Sequence, residues 1–266
     1  MIKTPFTLYQ HRQLIQHWWI KFLANIKMGS TDIVIVGPPA VGKTVLSKCL
    51  HGQAPEFGFK LPGASTTVET EAIALGKWTQ LVRVIPGQES TERTNGLWEA
   101  FHQSETLEGV IYVVDWGYSS PRNELLQGSL VRDEGLDTID KLRNYNLKNE
   151  LSDIKDIMGK IRDLQNQYRR PKWVLFIVNK ADLFVDKIND AQMYYSLDFD
   201  SEFTRIVKEY INIIGTMNVK VDTLPMCSWP EPFVWNGNTI KSSLGGKPLE
   251  NALAMRVISK IAELSS

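Results

Sequence analysis

Residues 37–44 read Gly-Pro-Pro-Ala-Val-Gly-Lys-Thr, and no other stretch limits the fold as tightly. A loop of this pattern works only where a β-strand ends and a helix begins, because its inward-facing N–H groups and the helix N-terminus together hold phosphate. The chain supplies both flanks: an apolar β-branched run from Asp32 to Val36 and a helical pattern from Lys43 to His51. The expected phosphate contacts are therefore Gly37, Pro38, Pro39, Ala40, Val41, Gly42, Lys43, Thr44 and Val45. Lys43 is placed to bridge the β- and γ-phosphates, and the Thr44 hydroxyl to bind Mg²⁺.

Beyond this loop, apolar runs alternate with helical patterns, which predicts an α/β fold, a mostly parallel six-stranded sheet with helices on both faces in three layers. The expected strands are Asp32 to Val36, Val68 to Leu75, Thr79 to Val84, Gly109 to Val114, Trp173 to Val178 and Val219 to Met226. The second and third form a hairpin across Gly76-Lys77. Further helices are expected over Gly96 to Gln103, within Leu136 to Tyr168, over Ser201 to Ile214 and over Pro248 to Leu264. A chain of 266 residues can bury one sizeable core. Its 30 basic side chains equal its 30 acidic ones, so no nucleic-acid partner is expected. Two cysteines in apolar settings, Cys49 and Cys227, suit a reducing compartment. The four histidines show no ligand spacing, and no apolar run is long enough to span a bilayer. A cytoplasmic location is expected.

Asn179-Lys180-Ala181-Asp182 follows the fifth strand directly and points to the base. A carboxylate at Asp182 can accept both N–H groups of guanine's Watson–Crick edge, whereas adenine would set a ring acceptor against it. Lys180 would lay its alkyl stem on the base plane, and Asn179 would tie this loop to the phosphate loop. Cys227-Ser228, at the end of the last strand, are small enough to let a backbone N–H reach the guanine O6. Pro86-Gly87-Gln88 ends the third strand, where Gly87 lets an N–H approach the γ-phosphate and Gln88 can orient an attacking water.

Taken in order, Gly37 to Thr44, Gly87-Gln88, Asn179 to Asp182 and Cys227-Ser228 resemble the motifs of the Ras-like small GTPases. Gly87-Gln88, Leu97-Trp98, Phe101 and Gly109 to Asp115 resemble the ADP-ribosylation-factor branch, while Val84 to Gln88 looks more like the bacterial polarity and gliding-motility GTPases. The resemblance implies GTP and GDP as ligands, Mg²⁺ as cofactor, and effector and regulatory proteins as partners. It implies a switch I between His51 and Val68, with Thr67 or Thr66 completing the metal shell, and a switch II from Pro86 to about Trp98. The implied function is a slowly hydrolysing GTP switch. Val84 stands where most relatives carry aspartate, and no arginine occurs from Val45 to Gly76. These departures favour the alternative of a non-hydrolysing GTP-binding scaffold. Arg93 in switch II is a fallback for that missing arginine, although an exposed switch arginine is more often a solvated or partner-contacting side chain.

Two segments lie outside the small-GTPase pattern. From Trp116 to Lys172 the chain is longer than the fold requires, with an insertion at about 117–150. Its charges, Glu134, Asp137, Asp140, Lys141, Arg143, Lys148, Glu150, Asp153 and Lys155, read as a solvated helical face. Ahead of the first strand, Tyr9 to Lys27 places Leu14, Ile15, Trp18, Trp19, Phe22, Leu23 and Ile26 on one helical face, within an amino-terminal extension over residues 1–30. Such a helix packs on the domain, meets a protein partner, or makes peripheral contact with a membrane. Phe233 and Trp235, in the Trp229 to Ser243 loop, either cover the base site or mark an interface.

Overall fold

The computed structural model describes residues 33–50, 66–75, 78–103, 107–165, 171–214, 219–244 and 246–265. The expected amino-terminal helix and all of switch I up to residue 65 lie outside the described residues.

Central strands buried on both faces should be apolar throughout rather than alternating. Three fit that rule: β1 (Ile33–Val36), β4 (Gly109–Val114) and β5 (Trp173–Val178) are buried at every position. With β2 (Glu69–Leu75), β3 (Trp78–Val84) and β6 (Lys220–Pro225) they form one six-stranded sheet in the order β2-β3-β1-β4-β5-β6. Only the β2–β3 pair is antiparallel. Because successive side chains leave a strand on opposite sides, the sheet divides the core in two. Val34, Val36, Val110, Tyr112, Val174 and Phe176 join one cluster, while Ile33, Ile35, Ile111, Val113, Leu175 and Ile177 join the other.

The second cluster is closed by α1 (Lys43–Leu50) and α7 (Lys247–Leu264), through Leu46, Leu50, Val257 and Ile261. Helix α7 starts with proline in its first turn, where the missing N–H costs nothing. The first cluster is closed by α2 (Thr91–Trp98), α4 (Ile139–Gln165), α5 (Ile188–Tyr195) and α6 (Glu202–Ile214), through Leu97, Ile154, Tyr195 and Phe203. Helix α3 (Glu124–Arg132) precedes α4, and a short hairpin, β7 (Phe233–Trp235) with β8 (Asn238–Ile240), precedes α7.

Several expectations need correction. Helix α2 begins at Thr91, five residues before Gly96, because Ser90 Oγ caps it by accepting from Arg93 N; the span expected to be α-helical continues as a π-helical turn, Glu99–Gln103. Helices α3 and α5 and the β7–β8 hairpin were not foreseen. The charged face of α4 is not solvated throughout. Glu150 is 3% exposed, and the side chains of Arg143 and Asp153 are mostly buried, whereas Lys148 and Lys155 are exposed. Phe233 and Trp235 are buried, with Trp235 Nε1 donating to Leu136 O at 2.6 Å. They cover the domain rather than mark an interface. Among the described residues no helix is long and apolar enough to cross a membrane.

Candidate functional site

The phosphate loop leaves β1 and enters α1. Gly42 has φ +91, and a Cβ there would lie 2.6 Å from Asn179 Nδ2, so another residue would be strained and would displace the Asn179 side chain. Lys43 is buried, and its ammonium donates to the carbonyls of Gly37 (2.9 Å) and Pro38 (2.7 Å). Burial, and secondly the nearby Arg93 guanidinium, lower the Lys43 pKa to about 7, against the pull of Asp153 and Asp115. Thr44 is buried beside it.

Switch II closes over this loop. A Cβ at Gly87 would stand 2.5 Å from both Lys43 Nζ and Pro39 Cα, so the β3 end can come this close only as glycine. Gln88 is exposed at the same edge. Val84 is 1% exposed within the apolar cluster of Ile35 and Val41, so this position is part of the core. Thr66 and Thr67 are exposed on the approach to β2. Asp115 is buried and paired with Lys180 Nζ at 2.7 Å.

The second motif sits at the end of β5. Asn179 is its keystone: Nδ2 donates to Val41 O at 2.8 Å, while Oδ1 accepts from Ser228 N (3.0 Å) and Ser228 Oγ (2.9 Å). One carboxamide thus joins three loops. Lys180 takes the left-handed region, φ 57, and also donates to Tyr118 O at 2.6 Å. Asp182 is 1% exposed. Its Oδ1 accepts from Cys227 Sγ and its Oδ2 from the Glu231 N–H, each at 3.3 Å. Burial, then the Asp182 carboxylate, push the Cys227 thiol well above its ordinary range. Tyr118 stacks on Phe184 and meets Phe233 edge-on, with the Arg143 guanidinium 4.4 Å from the Tyr118 ring centre.

A cavity of about 880 Å³ runs from the phosphate loop past Gly87 and Gln88 to Asn149 and Glu150 of α4. Its lining does not include Asn179, Lys180, Asp182, Cys227 or Ser228. Asn179, Asp182, Cys227 and Ser228 are buried among their own neighbours, and Asn179 joins their loop to the phosphate loop.

Two side chains are buried where the sequence predicts exposure. Arg93 is 6% exposed rather than solvated, with Nη1 donating to Pro86 O at 2.9 Å and Nη2 paired with Asp153. Glu150 has a carboxyl oxygen without a partner among the described residues, while Tyr195 Oη donates to its other oxygen at 3.2 Å. The signal for Glu150 was in the sequence: it stands eight residues after Leu142 and four before Ile154, both in the apolar stripe of α4. Nothing in the local sequence around Arg93 foretold its ion pair, whose partner is 60 residues away.

No family model matches the chain, and no curated protein does. Solved structures do resemble it, two of them as follows. The small GTPase Arl6 (BBS3) from Trypanosoma brucei, with the bound nucleotide analogue GppNp, is 16% identical, with 87% of this chain and 98% of that chain covered and a TM-score of 0.38. The mammalian SRP receptor is 15% identical, with 74% of this chain and 91% of that chain covered and a TM-score of 0.42. Resemblance at these scores adds nothing to what the strand order and the phosphate loop carry by themselves: the chain has the three-layer α/β fold of a Ras-like P-loop protein.

Proposed function

We propose that the chain binds GTP and GDP with Mg²⁺ and acts as a molecular switch toward protein partners. The observation that carries the reading is Asn179, whose carboxamide fastens the Asn-Lys-Ala-Asp loop to Val41 of the phosphate loop and to Ser228. That linkage brings a guanine-selective carboxylate and a triphosphate cradle to the same end of the parallel strands. Lys43 and Thr44 line the cavity where the phosphates and metal would lie. Among the described residues no cluster of three His, Cys, Asp or Glu side chains could hold a metal alone. Mg²⁺ here would rest mainly on the nucleotide's oxygens and water, with Thr44 and Thr66 or Thr67 adding hydroxyls, and would neutralise phosphate charge. Gln88, exposed beside Gly87, is the residue for orienting an attacking water.

Asp182→Asn tests the base assignment, because an amide can donate to the carbonyl of xanthine that replaces guanine's amino group. Competition binding should show GTP losing to xanthosine triphosphate in this variant, and unchanged GTP affinity would remove Asp182 from the site. A second reading, a GTP-binding scaffold that does not hydrolyse, is favoured by the apolar burial of Val84. Single-turnover hydrolysis by the wild-type chain separates the two.

A further inference from the structure

Arg93 is the third residue of α2 and is buried against the phosphate loop. A guanidinium taken out of water must have its donors met. Nη1 donates to Pro86 O at 2.9 Å and to Gly87 O and Gly37 O at 3.4 Å, while Nη2 pairs with Asp153 Oδ1 on α4. Asp153 is itself fixed, since Tyr112 Oη donates to its other oxygen at 2.7 Å. One side chain therefore joins switch II, the phosphate loop and the lengthened helix of the insertion.

The two switch carbonyls it holds are consecutive, and this has a stereochemical consequence. In a trans peptide the N–H points opposite to the C=O, and no cis peptide occurs among the described residues. With the Pro86 and Gly87 carbonyls turned toward Arg93, the N–H groups of Gly87 and Gln88 turn away from it. Gly87 and Gln88 line the cavity along with Lys43. Successive backbone N–H groups directed to one side form an anion-binding concavity. Nη1 and Nη2 are already engaged by protein oxygens, so the contacts Arg93 makes are with the backbone and Asp153.

We propose that Arg93 is the positioning residue for the γ-phosphate: held by Asp153, it fixes the Pro86 and Gly87 carbonyls so that the Gly87 and Gln88 N–H groups face the terminal phosphate. This rests on the guanine-nucleotide reading of the site. Recognition of the third phosphate is thereby linked to α4 of the insertion, so a partner that displaces α4 would change the preference for GTP over GDP. The α- and β-phosphates would lie on the phosphate loop and Lys43, where Arg93 reaches one carbonyl, Gly37 O at 3.4 Å, against two in the segment after β3.

The full chain, wild type and as Arg93→Ala, Arg93→Lys and Asp153→Asn, is titrated with GDP and with a non-hydrolysable GTP analogue, and thermal unfolding is recorded for each. Arg93→Ala should weaken the GTP analogue by about tenfold or more, the loss of roughly one charged hydrogen bond, with GDP affinity changing less than about threefold. Arg93→Lys should fall between wild type and alanine, because a point charge cannot serve two carbonyls and a carboxylate together. Asp153→Asn should shift the ratio in the same direction by less. If Arg93→Ala does not fold, the lysine and asparagine variants carry the same ratio test. Equal losses for both nucleotides, or losses that follow the melting temperature alone, make Arg93 a structural fastener and overturn the proposal. Absence of GDP binding by the wild-type chain overturns the guanine-nucleotide reading and the proposal with it.

Discussion

A lysine whose pKa lies near 7 changes what binding does to protons. Lys43 is lowered to about 7 chiefly by burial and next by Arg93. A bound polyphosphate supplies the opposite charge and raises it again. Above pH 7 the free protein therefore carries a partly neutral Lys43, and binding must take up a proton. The sign follows directly: affinity falls as pH rises from 7 to 9, with a limiting slope of about tenfold per pH unit and uptake of up to about one proton. Calorimetry of GDP binding at pH 8.5, in buffers of different ionisation enthalpy, measures that uptake. Zero net uptake would mean that Lys43 stays charged in the free protein. At this scale the sequence was informative where chemistry is local: Lys43, Thr44, Asn179 and Asp182 could be named from spacing. It was silent where chemistry is tertiary, because the low pKa of Lys43 comes first from burial and then from Arg93, which is distant from it in the chain.

Among the elements, the segment from Trp229 to Ile240 lies against Asp182. Asn236 and Gly237 have φ 44 and 78, both left-handed, which is what a two-residue turn between antiparallel strands requires. The turn is fixed at its tip, where Asn236 Nδ2 donates to Asp137 O at 2.9 Å, and at Trp235, which donates to Leu136 O. The hairpin holds the preceding Glu231 N–H against Asp182 Oδ2, where guanine would place one of its own N–H groups. Pro230 and Pro232 have no N–H, so Glu231 is the one amide reporter between Trp229 and Phe233. Hydrogen exchange should find that amide protected in the nucleotide-free chain and faster with GDP bound, as guanine displaces it. Protection that persists with GDP bound would show that guanine does not use this oxygen. The signal for this hairpin is present in the sequence, since Asn-Gly between two short β-rich runs marks a two-residue turn. The apolar runs of β4 and β5 could be read to the residue because burial on both faces leaves no polar position to blur the ends. Helix α3 could not, since its inward contacts are confined to Leu130 and Val131 while Leu125 is 82% and Leu126 49% exposed, a stripe too short to read.

Across the whole molecule, α4 is the element that ties the candidate site to the core, and Glu150 is where that attachment responds to pH. Burial first, and then the neighbouring Asp115 carboxylate, push the Glu150 carboxyl well above the ordinary value of 4.5, with the Tyr195 hydroxyl opposing and Asp153 adding to the rise. Asp115 and Asp153 are paired with Lys180 and Arg93 respectively, so neither of those cations is free to offset Glu150. A carboxyl with a raised folded-state pKa is neutral in the fold and charged in the unfolded chain over the same pH range. Its contribution to stability is complete below about pH 4.5 and is lost as pH rises through the folded-state value. Glu150→Gln mimics the neutral form and keeps an acceptor for Tyr195. It should therefore melt close to wild type at pH 5 and above it at pH 8, with the difference growing steadily between the two. Thermal unfolding of both proteins across that range decides it. A difference independent of pH would mean that Glu150 does not change protonation on folding, and a glutamine variant less stable at pH 8 would mean that its charged form is the one the fold requires.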